Sequence, residues 1–231
     1  PIRCSVDEFM PLLKRIQPRL YSIASSAKEY AQQVHLTVSA VRYERFFNGK
    51  KIRKGVSSTF LADRADGIDI PIFIQSNKNF RVPTDGNLPI MMVGPGTGVA
   101  PFRGFLQERR ARGDAGKNWL FFGEQHAATD FYYQNELEEF QKQGVLTELS
   151  LAFSRDQPEK IYVQQRMLAA AAEFGLACHA VDLLAHLVER RVDPVTFGLG
   201  IFGHGIFDSD AGLMKNRNPG THAIDKLLTR Q

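Results

Sequence analysis

The sequence predicts an α+β and α/β chain of two unlike parts and a tail. A partial antiparallel β-barrel spans residues 1–86, a parallel-sheet α/β domain spans 87–167, and a helical, glycine-rich tail spans 168–231. Two patterns predict this division. "VHLTVSAVRY" alternates apolar and polar residues with the period of a half-buried strand. "LPIMMV", "NWLFFG" and "LTELSLAF" are unpatterned apolar runs, as strands covered on both faces require, and they alternate with helical stretches. The polar, proline-bearing "RVPTDGN" marks a boundary near residue 86.

In chain order, residues 8–17 read as the end of a helix stopped before Pro18, and a period of two begins at "RLYSIASS". "VHLTVSAVRY" and "IDIPIFIQ" are strand candidates, "FFNGKKIRKG" reads as a turn or loop, and "SSTFLADR" starts a helix capped by a hydroxyl. After the boundary, "APFRGFLQERRAR" is helical with Pro101 in its first turn, and "DFYYQNELEEFQKQ" is an amphipathic helix. Parallel strands joined by such helices need crossovers. In the tail, "LAAAAEFGLACHAVDLLAHLVERR" is strongly helical, "VTFGLGIFGHG" is a strand followed by glycines, and "MKNRNPGTHAIDKLLTRQ" ends in a short helix.

A length of 231 residues can bury a sizeable core, and 43% hydrophobic with 23% charged residues is ordinary for a folded chain. A net charge of +4 and short, dispersed basic clusters ("GKKIRKG", "QERRARG") do not argue for nucleic acid. The two cysteines, Cys4 and Cys178, lie far apart and suit a reducing compartment, so a cytoplasmic location is expected. "MLAAAAEFGLACHAVDLLAHLV" is interrupted by Glu173, His179, Asp182 and His186 and reads as a buried helix, not a membrane span. His179, Asp182 and His186 share a helical face, but the alanine- and leucine-rich context favours a polar seam, and no metal site is expected. The start at Pro1 suggests a fragment or a processed product.

Gly94, Gly96 and Gly98 follow a strand and precede a helix. Glycine there permits positive φ and close ligand approach, and orphan helix amides attract phosphate. The spacing is neither G-x-G-x-x-G nor a Walker loop, so cofactor contact and simple tight packing both stay open for the turn alone. Ser154–Arg155 follows the third strand at its carboxyl end, where open parallel sheets bind ligands. A hydroxyl and a guanidinium fork there can hold a phosphate monoester. "KIYVQ" adds Lys160, Tyr162 and Gln164, suited to ribose, phosphate or adenine, with a solvated face as the alternative for Arg155 and Lys160.

"RLYSIASS", "GVSSTFL", "GPGTGVAPFRGF", "NWLFFGE", "DFYYQNE", "SRDQ" and "KIYVQ" occur in the order found in ferredoxin-NADP reductase-like modules of diflavin reductases. Over residues 7–167 the chain resembles this family, nearest to the flavoproteins of NADPH-dependent sulfite reductase. The resemblance implies an FAD-dependent NADPH oxidoreductase, an electron-transport module passing electrons through FAD to an FMN domain, as in assimilatory sulfite reduction and cysteine biosynthesis. Arg19, Leu20, Tyr21 and Ser22 resemble the family's FAD motif. Thr37, Val38 and Ser39 resemble the adjoining FAD-contacting strand, and Tyr43 a contact near the adenosine half. Gly55, Val56 and Ser57 resemble the pyrophosphate-binding helix start, and Gly96 and Thr97 the nicotinamide-side turn. Ser154 and Arg155 resemble the pair recognising the 2′-phosphate, and Lys160, Ile161, Tyr162, Val163 and Gln164 complete the NADPH set. Ser57 and Thr97 are the catalytic candidates, and Ser57 or Ser22 would tune the flavin.

The implied cofactors are FAD and NADPH, with FMN on a missing domain or a separate chain. The implied partners are a flavodoxin-like FMN domain and a sirohaem-containing sulfite reductase subunit. The chain departs from the family beyond Met167, where the expected Cys-Gly-Asp and terminal aromatic do not occur. A different acceptor, or a truncated, catalytically inactive protein that binds flavin, nucleotide or only a partner, therefore stands beside the main reading.

Overall fold

The computed structural model describes residues 5–14, 16–46, 50–174, 199–202 and 223–229. Cys4, Cys178 and the His179, Asp182, His186 face lie outside them. Helix α1 (Val6–Phe9) opens with a reciprocal capping box between Ser5 and Glu8 and passes into a 3₁₀ turn, Met10–Leu12. The helix expected over 8–17 therefore ends early. Pro11 lacks an N–H and its ring crowds the preceding turn, so α-helix gives way there, well before Pro18.

Strands β1 (Gln33–Ser39), β2 (Arg42–Phe46) and β3 (Lys50–Lys54) follow, then helix α2 (Val56–Asp63). β2 and β3 pair antiparallel from Arg42↔Lys54 to Phe46↔Lys50, so the segment read as a loop is half strand. Arg42 and Lys54 both meet Asp63, which offsets part of the repulsion along this basic ribbon. β1 pairs antiparallel with β8 (Ala223–Thr229), from Gln33↔Thr229 to Ser39↔Ala223. The short C-terminal helix expected from "HAIDKLLTRQ" is thus a strand, because a free strand edge outweighs a weak local preference. Among the described residues these two pairs form separate sheets, and the expected barrel does not close. "IDIPIFIQ" is no strand: it finds no partner ladder, and Ile72, Phe73 and Ile74 stay 62%, 59% and 66% exposed.

The parallel sheet is observed. β4 (Ile90–Val93), β5 (Asn118–Glu124) and β6 (Glu148–Phe153) pair parallel, and β7 (Leu199–Phe202) adds antiparallel to β4, giving the order β6-β5-β4-β7. β7 falls within the strand expected from "VTFGLGIFGHG". Helix α3 (Ala100–Arg112) crosses between β4 and β5, and helices α4 (Ala127–Asp130) and α5 (Gln134–Lys142) between β5 and β6. Helix α6 (Val163–Phe174) follows β6. The single helix expected over "DFYYQNELEEFQKQ" is split, because Phe131 and Tyr132 turn into the core and Tyr133 adopts a left-handed backbone, φ 60°.

The unpatterned strands are explained by cover on both faces. Leu120 and Phe122 pack with Ile90, Met92, Phe102 and Leu137, while Phe121 faces Val93, Ala152, Val163 and Met167 on the other side. Among the described residues no helix is long and apolar enough to cross a membrane.

Arg109 anchors the entry to this sheet. Its buried guanidinium donates to the carbonyls of Gly86, Leu88 and Gly116 at 3.0, 3.1 and 2.8 Å, which ties the segment entering β4 to the segment entering β5. Burial pushes its pKa down, with Asp114 opposing that effect. Arg109→Leu removes the buried donor that three carbonyls share, while Asp114 keeps Arg112 at 3.1 Å, and should lower unfolding free energy by about 1–3 kcal/mol. Urea denaturation followed by circular dichroism checks this, and an unchanged midpoint would contradict the anchoring role.

Candidate functional site

On the β1 side, two expected segments meet. The Tyr21 hydroxyl donates to Ser57 Oγ at 3.1 Å, joining "RLYS" to the start of α2. Gly55 caps that helix in place of the expected hydroxyl, because the Ser58 hydroxyl is taken by Val41, and the quarters are tight: an added Cβ would lie 2.7 Å from Ser58 Oγ and 3.0 Å from Val41 Cβ. Its N–H bonds Val41 O at 2.8 Å, and Ser58 Oγ accepts from Val41 N at 3.1 Å. The first-turn amides of Val56, Ser57 and Ser58 have no intrahelical acceptor, so this end of α2 is suited to an anion. Val56 is 65% exposed there.

Other expected contacts on this side are placed differently. Arg19 is exposed and donates to Gln17 O at 2.9 Å, and Leu20 and Ser22 are also exposed. Thr37 and Val38 are buried, and the Thr37 hydroxyl is engaged by Tyr133, while Ser39 and Tyr43 are half-buried.

The other half gathers its expected residues along the carboxyl edge of the parallel sheet. β4 runs into Gly94 and then the 3₁₀ turn Gly96–Val99, with Gly96 at φ 58°. Gly94 packs so closely that a Cβ would meet Gly98 O at 2.8 Å, so tight packing is a property of the turn. Thr97 is half-buried within it. Two strands away, Ser154 N donates to Glu124 O at 2.8 Å and Arg155 N to Gln125 O at 2.9 Å, which prolongs the β5–β6 pairing past the strand ends. Two inter-strand spacings put the glycine turn and Ser154 roughly 10 Å apart across the edge. Arg155 and Lys160 are exposed cations, Ile161 is half-buried, Tyr162 is at the surface, and Val163 is core. Gln164 is half-buried, and its Oε1 is buried with no donor. A buried acceptor without a donor suits a ligand that brings an N–H, such as a purine amine.

Two groups here escaped the sequence reading. Glu124, at the end of β5, lies against the glycine turn: a Cβ on Gly96 would sit 3.3 Å from its Oε1. Burial raises the Glu124 pKa, while the Gln125 N–H at 2.8 Å and the Tyr132 hydroxyl at 3.4 Å favour its charged form. Asp156, next to Arg155, accepts from Ala127 N at 2.9 Å and meets His126 Nδ1 at 2.8 Å, and these bonds lower its pKa. That pair ties the Ser154–Arg155 loop to the loop after β5. Both acids lie within quoted motifs, "NWLFFGE" and "SRDQ", and at or just past the carboxyl end of a strand, which was the signal for them.

Two family models match the chain. Residues 2–60 match the FAD binding domain family, and residues 92–184 match the oxidoreductase NAD-binding domain family. The chain is 52% identical over 174 residues to the sulfite reductase (NADPH) flavoprotein alpha-component of Bacillus subtilis, covering 75% of this chain and 28% of that protein. It is 52% identical over 172 residues to the Vibrio vulnificus protein of the same description (74% and 27%), and 51% over 174 residues to that of Sodalis glossinidius (75% and 28%). The chain thus spans under a third of the length of the curated relatives it matches. The resemblance to ferredoxin-NADP reductase-like modules is borne out, and over about three quarters of its length the chain is similar to sulfite reductase flavoproteins.

Glu124 gives a pH-dependent prediction. Its folded-state pKa is raised, so at neutral pH the charged form is a cost that protonation relieves. Glu124→Gln should therefore be more stable than the parent at neutral pH. The difference should shrink as pH falls through the raised titration toward the ordinary glutamate range. Urea midpoints measured across that range test the sign, and a gap that widens on acidification would refute it.

Proposed function

We propose that this chain, a module similar to the sulfite reductase flavoproteins, binds FAD and NADPH and passes electrons from NADPH through FAD to an FMN domain. The single observation carrying this reading is the shared carboxyl edge. Gly96–Thr97 and Ser154–Arg155 follow the carboxyl ends of two strands of one parallel sheet, in a chain 52% identical over 174 residues to a sulfite reductase (NADPH) flavoprotein. The proposed division is residues 1–86 for flavin and 87–167 for nucleotide.

When bound, the nicotinamide and the flavin supply the hydride and one-electron chemistry. The protein's residues bind and orient. Arg155 and Lys160 attract a 2′-phosphate, Ser154 offers a hydroxyl to it, and the Gln164 carbonyl accepts from adenine. Tyr162, at the surface, offers a ring to stack against. Thr97 and Gly96 shape the close approach at the nicotinamide end. On the flavin side, Tyr21 supplies a ring held in place by Ser57, and the start of α2 receives the pyrophosphate together with Arg19. Thr37, Val38, Ser39 and Tyr43 line the strands beside it, and backbone serves for Val38 and Thr37, whose side chains are buried. Ser57 tunes the flavin through the same hydroxyl that Tyr21 donates to. The acceptor in this reading is a flavodoxin-like FMN domain, and beyond it a sirohaem-containing sulfite reductase subunit in the cytoplasm.

One observation favours a second reading, a flavin- or nucleotide-binding protein without turnover: β1 is paired with tail strand β8 along its whole length. Titration of the purified chain with FAD, followed by anaerobic NADPH, separates the two. Bleaching of the flavin supports the reductase, and binding without bleaching supports the second reading. Arg155→Ala should weaken NADPH binding about tenfold or more, the worth of a charge-assisted bond, and leave NADH binding nearly unchanged. Equal losses with both nucleotides would remove Arg155 from the 2′-phosphate site. Ser57→Ala should slow flavin reduction at saturating FAD and NADPH, and an equal rate would end the tuning role.

A further inference from the structure

Between β1 and the parallel sheet runs a buried polar seam that none of the expected cofactor contacts explains. Arg103, on α3 and 5% exposed, donates from Nη1 to Ala24 O and to His35 Nδ1, both at 2.9 Å, and from Nε to Glu136 on α5 at 2.6 Å. Because a guanidinium only donates, His35 Nδ1 accepts. This leaves Nε2–H to donate to Gln33 Oε1 at 3.2 Å, which fixes one neutral tautomer. Gln107 bridges the same seam, accepting from Ser26 N at 3.0 Å and donating to Glu136 Oε1 at 2.8 Å. The backbones approach closely: a Cβ on Gly104 would lie 3.3 Å from the backbone of Ser25.

Tyr133 closes the seam. The Arg103 guanidinium lies 4.8 Å from the centre of its ring, and its hydroxyl is hydrogen-bonded to Thr37 Oγ1. The preceding residue faces the other way. Tyr132 donates to Glu124, which packs against Gly96 at the nucleotide edge. Two consecutive tyrosines thus reach from the carboxyl edge of the parallel sheet to β1. The left-handed backbone at Tyr133, φ 60°, is the turn at which they diverge, and for a non-glycine residue it is strained. Strain of this kind persists where the surroundings over-determine it.

We propose that Tyr133 is a positioning residue that locks β1 to the nucleotide-binding sheet, so that nucleotide bound at the Gly96 turn is felt at β1 through Glu124, Tyr132, Tyr133 and Thr37. The inference rests on the proposed function, with flavin beside β1 and NADPH at the carboxyl edge. It assigns to this chain a coupling between the two ligand sites, carried by an element that both sites touch.

The test compares the full chain with Tyr133→Phe, Thr37→Val and the double variant. Amide hydrogen exchange is followed at residues 33–39 with and without NADP⁺, beside calorimetric NADP⁺ affinity and anaerobic flavin reduction. Without ligand, each single variant should speed exchange at residues 33–39, and the double variant should be no faster than either, because both remove one shared bond. NADP⁺ should slow that exchange in the parent and not in Tyr133→Phe, although the variant binds NADP⁺ as tightly. Its limiting rate of flavin reduction should fall about tenfold, as small misplacements of reacting groups do. Thr37→Val, nearly isosteric, carries the test if Tyr133→Phe does not fold. Unchanged ligand-free exchange, or NADP⁺ protection that survives Tyr133→Phe, overturns the proposal. A parent that binds no NADP⁺ refutes the proposed function instead, and the ligand-free exchange then decides on the lock alone.

Discussion

The structure depends on a strand covered from both sides. β5 has Leu120 and Phe122 packed beneath one layer of helices and Phe121 beneath the other, so every side chain in that stretch is withdrawn from water. Burying each of these large apolar groups contributes about 1.5–3 kcal/mol relative to exposure. This cover makes the central strand continuous, and its two parallel neighbours take their register from it. The carboxyl ends of β4, β5 and β6 then emerge side by side. The glycine turn, Glu124 and Ser154–Arg155 share an edge for that reason and no local one.

That edge is chemically uneven, and the unevenness is informative. Cations at Arg155 and Lys160 lie toward β6, whereas toward β4 a half-buried carboxylate, Glu124, packs against the backbone of Gly96. A carboxylate at that turn disfavours a second phosphate there and suits an uncharged or cationic group. The edge is therefore positive toward β6 and negative toward β4. Asp156, through Ala127 and His126, keeps the Ser154–Arg155 loop attached to the loop after β5.

The two halves are joined by polar contacts more than by a shared apolar core. Arg103, His35, Gln107, Glu136, Thr37 and Tyr133 form a buried network with matched donors and acceptors. Such a network is stabilising when satisfied and costly when broken, so it specifies one arrangement of the halves. None of this was legible in the sequence. His35 and Thr37 read there as alternate residues of a strand and Arg103 as one cation of a helix, and their meeting depends on how α3 and α5 dock. "DFYYQNE" was legible as a motif, but the left-handed residue within it was not, because tyrosine carries no local signal for φ > 0.

By itself the sequence determined the parallel half and the order of the motifs, because periodicity and double-sided burial are local properties. "LPIMMV", "NWLFFG" and "LTELSLAF" became strands as their composition requires. Only the tertiary structure decided which segments of the first half and the tail are strands. Lys50–Lys54 and Ala223–Thr229 became strands by finding partners, and "IDIPIFIQ" did not, although its pattern is the more strand-like. A strand's backbone groups are satisfied by another segment, and which segment arrives is a property of the whole chain.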